Sequence, residues 1–246
     1  MFRDKRLNGI VRTIHQHGFA TVPQLCAQFG ASPATIRRDL QELSQKQLIQ
    51  RNRNGAVPPQ ELHAEASVHF RAAVNARAKQ KIARAACELL TNGSLIFMDS
   101  STTVLSMVDF LPAKRNLTIV SNSLLLMTLM RDTEHKLVLT GGEYYAPSHA
   151  FYGEWAEEAL NAYNFDFAFL SSVSITPDGW AAETMEHSVA VRRTALQRAK
   201  TRVLLCDKSK MNLRRPFNMT HIDAMDYLIT DDPVYPEHAC TRVIRV

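Results

Sequence analysis

Between residues 95 and 229, apolar runs of strand length alternate with helix-length segments, and that alternation restricts the fold more than any other feature. The runs fall at 95–98, 117–120, 136–139, 167–170, 203–206 and 227–229, with amphipathic stretches at 103–110, 123–131, 154–162 and 188–199. Strands joined through helices build a largely parallel sheet covered on both faces. An α/β fold is therefore expected for residues 76–246, opening with a helix at 79–90 closed by Asn92-Gly93. No internal repeat or low-complexity tract interrupts it.

Each strand candidate is followed by small polar residues. The segments are Asp99-Ser100-Ser101-Thr102-Thr103, Ser121-Asn122-Ser123, Thr140-Gly141-Gly142-Glu143, Ser171-Ser172 and Asp207-Lys208-Ser209-Lys210. In a parallel sheet all of them lie at the carboxyl edge, where ligands bind. One such loop reads as an ordinary helix cap. Several converging loops point to a small, polar, anionic ligand. Asp99 is the expected acceptor for sugar hydroxyls, and Lys208 or Lys210 the expected point charge for a phosphate.

The first sixty residues follow a different pattern. Leu7, Ile10, Val11 and Ile14 form one helical stripe, and Gly18 suits its end. Thr21 opens T-V-P-Q, a capping-box pattern, before Val22, Leu25, Cys26 and Phe29 repeat the stripe. Gly30 is the natural turn residue. Ser32-Pro33 restarts a helix whose buried face is Ile36, Leu40 and Leu43. Thr35, Arg37 and Arg38 are left on its other faces, while Asp39 and Glu42 are expected to pair with nearby cations. Asn54-Gly55 then signals a hairpin, preceded by Arg51 and Arg53. Two helices with a tight turn, exposed arginines and a basic hairpin suit the major groove and phosphates of duplex DNA.

Charge agrees with that division. Residues 1–60 hold nine Lys/Arg and three Asp/Glu, whereas the rest hold 20 basic and 21 acidic residues. The whole excess of the +5 chain thus sits in its first quarter, which suits a polyanion partner for that module. Cys26, Cys87, Cys206 and Cys240 are scattered, as free thiols in a reducing compartment are. The nine histidines show no metal-ligand spacing, so no metal, cofactor or catalytic set is expected. MFRDKRLNGI has no apolar segment after its charges, and no apolar run spans a bilayer, so a cytoplasmic location is expected.

Through SPATIRRDLQELSQKQLIQRNRNGA, residues 5–57 resemble the DNA-binding domain of DeoR-type bacterial regulators. The family's TIRRDL core is present, and its R-x-H-G-G-A wing reads Arg51 to Ala56, with Arg53 for His and Asn54 for the first Gly. DSSTT, IVSNS, LTGGE, FDFAFL, LLCDKSKM and YLITDD extend the likeness through the body. That part resembles the family's sensor domain, which shares its fold group with ribose-phosphate isomerases and coenzyme A transferases. The family's D-x-G-T-T has Ser101 for Gly, a variant seen among fucose-type regulators. Its Glu four residues before a basic residue falls on Ser188 if Arg192 is that residue, leaving Glu183 and Glu186 unassigned.

The resemblance implies a winged helix-turn-helix domain at 1–58, a connector at 59–75 and an effector-sensing, oligomerising domain at 76–246. It implies a transcriptional repressor, less often an activator, of carbohydrate-use genes, with a phosphorylated sugar as inducer and a dimer or tetramer on operator DNA. The expected DNA-binding residues are Thr21, Ser32, Pro33, Thr35, Arg37, Arg38, Arg51 and Arg53. The expected effector residues are Asp99, Ser100, Ser101, Thr102, Thr103, Ser121, Asn122, Gly141, Gly142, Asp207 and Lys210. Two other classes compete. One is an isomerase or transferase fused to a DNA-binding module, for which Asp99, Glu143, Glu186 and Asp207 are base candidates by type. The other is a pure protein–protein or architectural DNA binder without a ligand.

Overall fold

The computed structural model describes residues 3–17, 20–52, 55–58, 68–235 and 240–246. The chain divides into two compact units, Met1–Val74 and Asn75–Val246. Gly18, Arg53, Asn54, Pro59 and the first part of the connector, 59–67, lie outside the described residues.

The first unit runs α1 (Arg3–His17), β1 (Ala20–Thr21), α2 (Val22–Phe29), α3 (Pro33–Gln45), β2 (Gln50–Asn52), β3 (Gly55–Val57) and α4 (Val68–Ala73). The expected stripes meet in one core, where Leu7, Ile10, Val11, Ile14, Leu25, Ile36, Leu40 and Leu43 are all buried. Gly30 ends α2 in the left-handed region, at φ 61°. The hairpin pairs Asn52 with Gly55 and Gln50 with Val57. The wing has one strand more than the sequence suggested, because Ala20–Thr21 pairs with the outer edge of β3. Two residues are too short a run for alternation to reveal.

The second unit runs α5 (Ala76–Glu88), β4 (Leu95–Met98), α6 (Thr102–Leu105), β5 (Thr118–Ser121), α7 (Leu124–Leu129), β6 (Lys136–Leu139), β7 (Glu143–Tyr145), β8 (Ala150–Tyr152) and α8 (Glu154–Asn161). It continues with β9 (Phe165–Ser171), β10 (Ser174–Ile175), β11 (Trp180–Glu183), α9 (Glu186–Gln197), β12 (Ala199–Leu205), β13 (Phe217–His221), β14 (Tyr227–Thr230) and β15 (Arg242–Arg245). Among the described residues, seven strands form one parallel sheet in the order β15-β14-β12-β9-β4-β5-β6. Alternate side chains enter two cores. Ile96, Met98 and Phe169 pack with α5, α6 and α7 on one face, and Phe97, Leu170 and Leu204 pack with α8 and α9 on the other. Each fully buried apolar side chain of this kind contributes about 1.5–3 kcal/mol of transfer free energy.

Several boundaries differ from the sequence reading. The helix expected at 79–90 starts at Ala76, and its buried stripe is Lys79, Ile82, Ala83, Ala86 and Cys87. The helix expected at 103–110 is α only to Leu105, then 3₁₀ over Ser106–Asp109. Ser106 Oγ donates to Thr102 O at 3.0 Å, occupying a carbonyl of the α ladder. β9 and β12 outrun their apolar cores because they pair with each other from Phe165 and Ala199 onward. The β7–β8 hairpin, the antiparallel β10-β11-β13 sheet and β15 were not anticipated. They are two to five residues long and carry too few apolar residues in register to stand out.

Chain order places β5 and β6 on one side of β4 and β9, β12, β14 and β15 on the other. The β4/β9 boundary is therefore the switch point, where crossovers leave toward opposite faces and open a crevice at the carboxyl edge.

Candidate functional site

The first unit gathers its acids away from its exposed arginines. Asp39, on the buried side of α3, accepts Arg6 Nε at 2.6 Å, while Glu42 pairs with Arg3 and, at 2.8 Å, with Lys46. Arg37, Arg38 and Arg51 are exposed and make no ion pair among the described residues. Ser32 Oγ caps α3 by accepting Thr35 N at 3.2 Å and lies 2.9 Å from Thr35 Oγ1, with Pro33 in the first turn. Thr21 and Gln24 close a reciprocal capping box on α2. These caps fix where α3 begins, so Thr35, Arg37 and Arg38 leave its first two turns in set directions. Gly55 fixes the wing. A Cβ there would lie 2.0 Å from Ala20 O and 2.8 Å from Thr21 Cα, so only glycine lets β1 and β3 approach.

At the switch point of the second unit, Asp99 follows β4 and is buried. Its Oδ1 accepts Ser101 N at 2.9 Å, and its Oδ2 accepts Ser171 N at 3.1 Å and Arg192 Nε at 2.7 Å. Arg192 rises from α9, 7% exposed, with Nη1 3.4 Å from Glu183 Oε1. Burial opposes the Arg192 charge, but Glu183 and then Asp99 outweigh it and drive the guanidinium pKa above its ordinary value. Three protein donors thus engage the Asp99 carboxylate, which ties the loops after β4 and β9 to α9.

Lys210 settles toward the same edge. Its Nζ donates to Ser171 Oγ at 3.0 Å and Ser172 O at 2.8 Å, whereas Lys208 is exposed and is held through its backbone, its N–H donating to Asp231 and its carbonyl accepting Met211 N. Asp207 is buried. Burial would raise its pKa, but Lys210, the Ser209 hydroxyl, Lys79 and the Ser209 N–H together hold it below the usual carboxylate range. Lys79 is 4% exposed on the buried stripe of α5.

A second group of residues meets at β8. Tyr152 OH lies 3.1 Å from both Ser100 Oγ and Ser148 Oγ, and its ring lies 4.7 Å from that of His187. Asn122 Nδ2 donates to Phe151 O at 3.0 Å. Gly142, at φ 115°, would bring a Cβ within 2.5 Å of Tyr152 O, so a glycine is required where β6 turns back under β8. Ser121 Oγ accepts Ser123 N, and Ser101 Oγ caps α6. Thr102 and Thr103 are buried, and Gly141 is partly exposed.

The expected effector residues therefore fall in two neighbouring sets on the carboxyl edge. Arg192, Glu183, Tyr152 and His187 complete those sets, and the sequence reading did not assign them. Arg192 was legible in one respect: it stands at the apolar position between Val189 and Ala195 on α9, where a charge requires a buried partner. Among the described residues, no helix is long and apolar enough to cross a membrane.

Comparison with known proteins agrees in both units. The DeoR-like helix-turn-helix domain matches residues 6–61, and the DeoR C terminal sensor domain matches residues 74–232. A glycerol-3-phosphate regulon repressor of Escherichia coli (strain K12) is 33% identical over 234 residues, covering 95% of this chain and 92% of that protein. The HTH-type transcriptional repressor GlcR of Bacillus subtilis (strain 168) is 31% identical over 232 residues, covering 94% and 89%. Among solved structures, a ribose 5-phosphate isomerase A from Methanocaldococcus jannaschii is 18% identical, covers 56% of this chain and 55% of its own, and gives a TM-score of 0.41. Both domain matches are to parts of regulators, which sets aside the fused isomerase or transferase. The chain belongs to the DeoR family of DNA-binding transcriptional regulators.

Proposed function

We propose that the protein is a cytoplasmic repressor of carbohydrate-use genes that leaves its operator when a small phosphorylated carbohydrate binds the carboxyl edge of the parallel sheet. Thr35, Arg37 and Arg38 enter the major groove from α3, supported by Thr21, Ser32 and Pro33, and Arg51 and Arg53 of the wing meet the backbone. A dimer or tetramer supplies two such modules for paired half-sites.

One observation carries the effector reading. The Lys210 ammonium is turned into the edge and donates to two uncharged oxygens, on Ser171 and Ser172. An anion there gains a charge-assisted bond that the protein's own neutral acceptors do not match. Ser100, Ser101, Thr102, Thr103, Ser121, Asn122, Gly141 and Gly142 line the edge beside it, while Asp99 and Asp207 hold the loops in place. The repressor names of the relatives, one for a glycerol-3-phosphate regulon, agree with this reading.

The test is a gel shift of DNA upstream of the protein's own and adjacent genes, with glycerol 3-phosphate, hexose 6-phosphates and the unphosphorylated sugars. Release by a phosphorylated compound alone is expected. Equal binding to promoter and random duplex removes the operator reading, and release by none of the phosphates removes the effector.

A further inference from the structure

We propose that Asn75 couples the effector edge to the DNA-binding unit, by tying the loop that carries Lys210 to the residue at which the sensor unit begins. The inference rests on the effector reading above and adds its route of transmission.

Asn75 is the first residue of the second unit, and the peptide bond before it joins Val74, the last residue of the first. It sits at the N-cap of α5 in the left-handed region, at φ 55° and ψ 31°, and makes no side-chain capping bond. An asparagine at that position ordinarily turns its side chain back to the helix amides. Here Nδ2 points elsewhere and donates to Asp207 Oδ1 at 3.0 Å and Ser209 Oγ at 2.9 Å, more than 130 residues along the chain. Its carbonyl meanwhile accepts Lys79 N at 3.1 Å, starting the helix.

The loop it grips is the one that presents Lys210. Asp207 Oδ1 also accepts Ser209 N at 3.1 Å and the Ser209 hydroxyl, and Lys210 N donates back to Asp207 O at 3.0 Å. From that turn Lys210 reaches Ser171 and Ser172. A continuous set of hydrogen bonds thus runs from the carboxyl edge, through the 207–210 turn, to the Asn75 amide and the start of α5. Lys79, one turn along α5, adds a buried charge that acts on the same carboxylate.

Left-handed backbone at a residue other than glycine persists only where surrounding contacts hold it. The two bonds from Nδ2 are side-chain contacts that Asn75 makes in that geometry. An anion that draws Lys210 from Ser171 and Ser172 reshapes the turn that provides both acceptors. The N-cap then has two states, docked on Asp207 and Ser209 or released, at the residue that joins the second unit to the first. That is the differential contact an allosteric link requires.

The experiment uses the full chain and Asn75→Gly. Glycine accepts φ 55° without strain and lacks the amide, so the fold is kept while the link is cut. Operator affinity without effector and effector affinity, read by calorimetry with glycerol 3-phosphate or whichever hexose 6-phosphate releases the parent, are expected to stay within about threefold of the parent. The ratio of operator Kd with effector to that without is expected to collapse to within about twofold of one. A variant that keeps the parent's ratio overturns the proposal.

If the parent answers to no phosphate, the effector reading fails by itself. The link is then judged by hydrogen exchange in the full chain. Ser209→Ala removes one acceptor and is expected to speed exchange of amides 79 and 80 about tenfold, with no added effect once Asn75 is glycine. Unchanged exchange in Ser209→Ala overturns it.

Discussion

Arg6 clamps α1 to α3 through Asp39. Arg6 Nε donates to Asp39 Oδ2 at 2.6 Å and Arg6 Nη2 to Oδ1 at 3.3 Å, a two-point grip on the residue next to Arg38. The carboxylate is 2% exposed, and its hydrogen bond holds the Arg6 guanidinium pKa above the ordinary value. A single point of contact would let α3 roll, whereas a fork does not.

Arg6→Met therefore leaves a buried carboxylate without its cation. The expected result is a lower melting temperature for the first unit and operator affinity down about tenfold. Arg6→Met with Asp39→Leu removes both charges and is expected to recover most of the stability, since apolar replacement of a whole buried pair is often neutral. Thermal melts and operator titrations of parent, single and double variants check this. A double variant as unstable as Arg6→Met would refute the pairing argument.

Gly55→Ala tests the wing. Its Cβ would overlap Ala20 O, a backbone atom that no rotamer change can move aside. Forcing extra bulk into packed structure costs about 1–3 kcal/mol, and backbone overlap belongs at the upper end. Operator binding should fall with the stability of the first unit, while effector binding by the sensor unit should hold. Full operator affinity in Gly55→Ala would mean that the β1–β3 pairing is dispensable.

Asp39, Lys79 and Arg192 explain why the fold was easier to read than the site. Each occupies an apolar-stripe position: Asp39 with Ile36, Leu40 and Leu43; Lys79 with Ile82, Ala83 and Ala86; Arg192 with Val189, Ala195 and Leu196. The helices and six of the seven strands of the parallel sheet follow from local periodicity, because repeated burial leaves a repeated mark. A charge inside a stripe announces a buried partner but not its identity. Arg192 finds Asp99 across 93 residues and Asn75 finds Asp207 across 132, distances over which local sequence carries no information. Tyr152 reaches Ser100 from a three-residue strand, β8, that is too short to recognise in the sequence.

Arg37 and Arg51 should separate base reading from backbone contact. Arg37→Ala is expected to cost about 1–3 kcal/mol of operator affinity and to narrow the preference for operator over random duplex. Arg51→Ala is expected to weaken both DNAs alike and to lower the slope of log K against log salt by about one. Titrations at three or more salt concentrations distinguish the two. An Arg37→Ala protein with the parent's preference removes that side chain from the groove.

Lys210 and Lys208 are two residues apart and face different surroundings. Lys210→Met removes the ammonium that meets Ser171 and Ser172 and should abolish release by phosphorylated sugar while operator binding stays near the parent's. Lys208→Met removes an exposed charge and should change release by less than about twofold, as surface charges do. Release curves with a fixed operator fragment decide it. The reverse ranking would move the anion to the outer side of the loop.

Asp207 gives the sensor unit an acid-sensitive component of known sign. Burial raises its pKa, but Lys210, Ser209 and Lys79 outweigh that and leave the folded value below the ordinary one. A depressed carboxyl contributes stability that is fully present above the unfolded pKa, near ~3.9, and is lost as pH falls through the folded value. Asp207→Asn should therefore be less stable than the parent at pH 7, by about 1.5–3 kcal/mol, the scale of hydrogen bonds to a charged group. The gap should narrow as pH drops below about 4, where the parent's own carboxylate takes up its proton. Asp178 and Asp226 are also depressed and shift both proteins together, so the difference between the curves isolates Asp207. Urea unfolding of the second unit at pH 7, 4 and 3 measures that difference, and a gap that stays constant with pH would mean Asp207 is held by shape and not by charge.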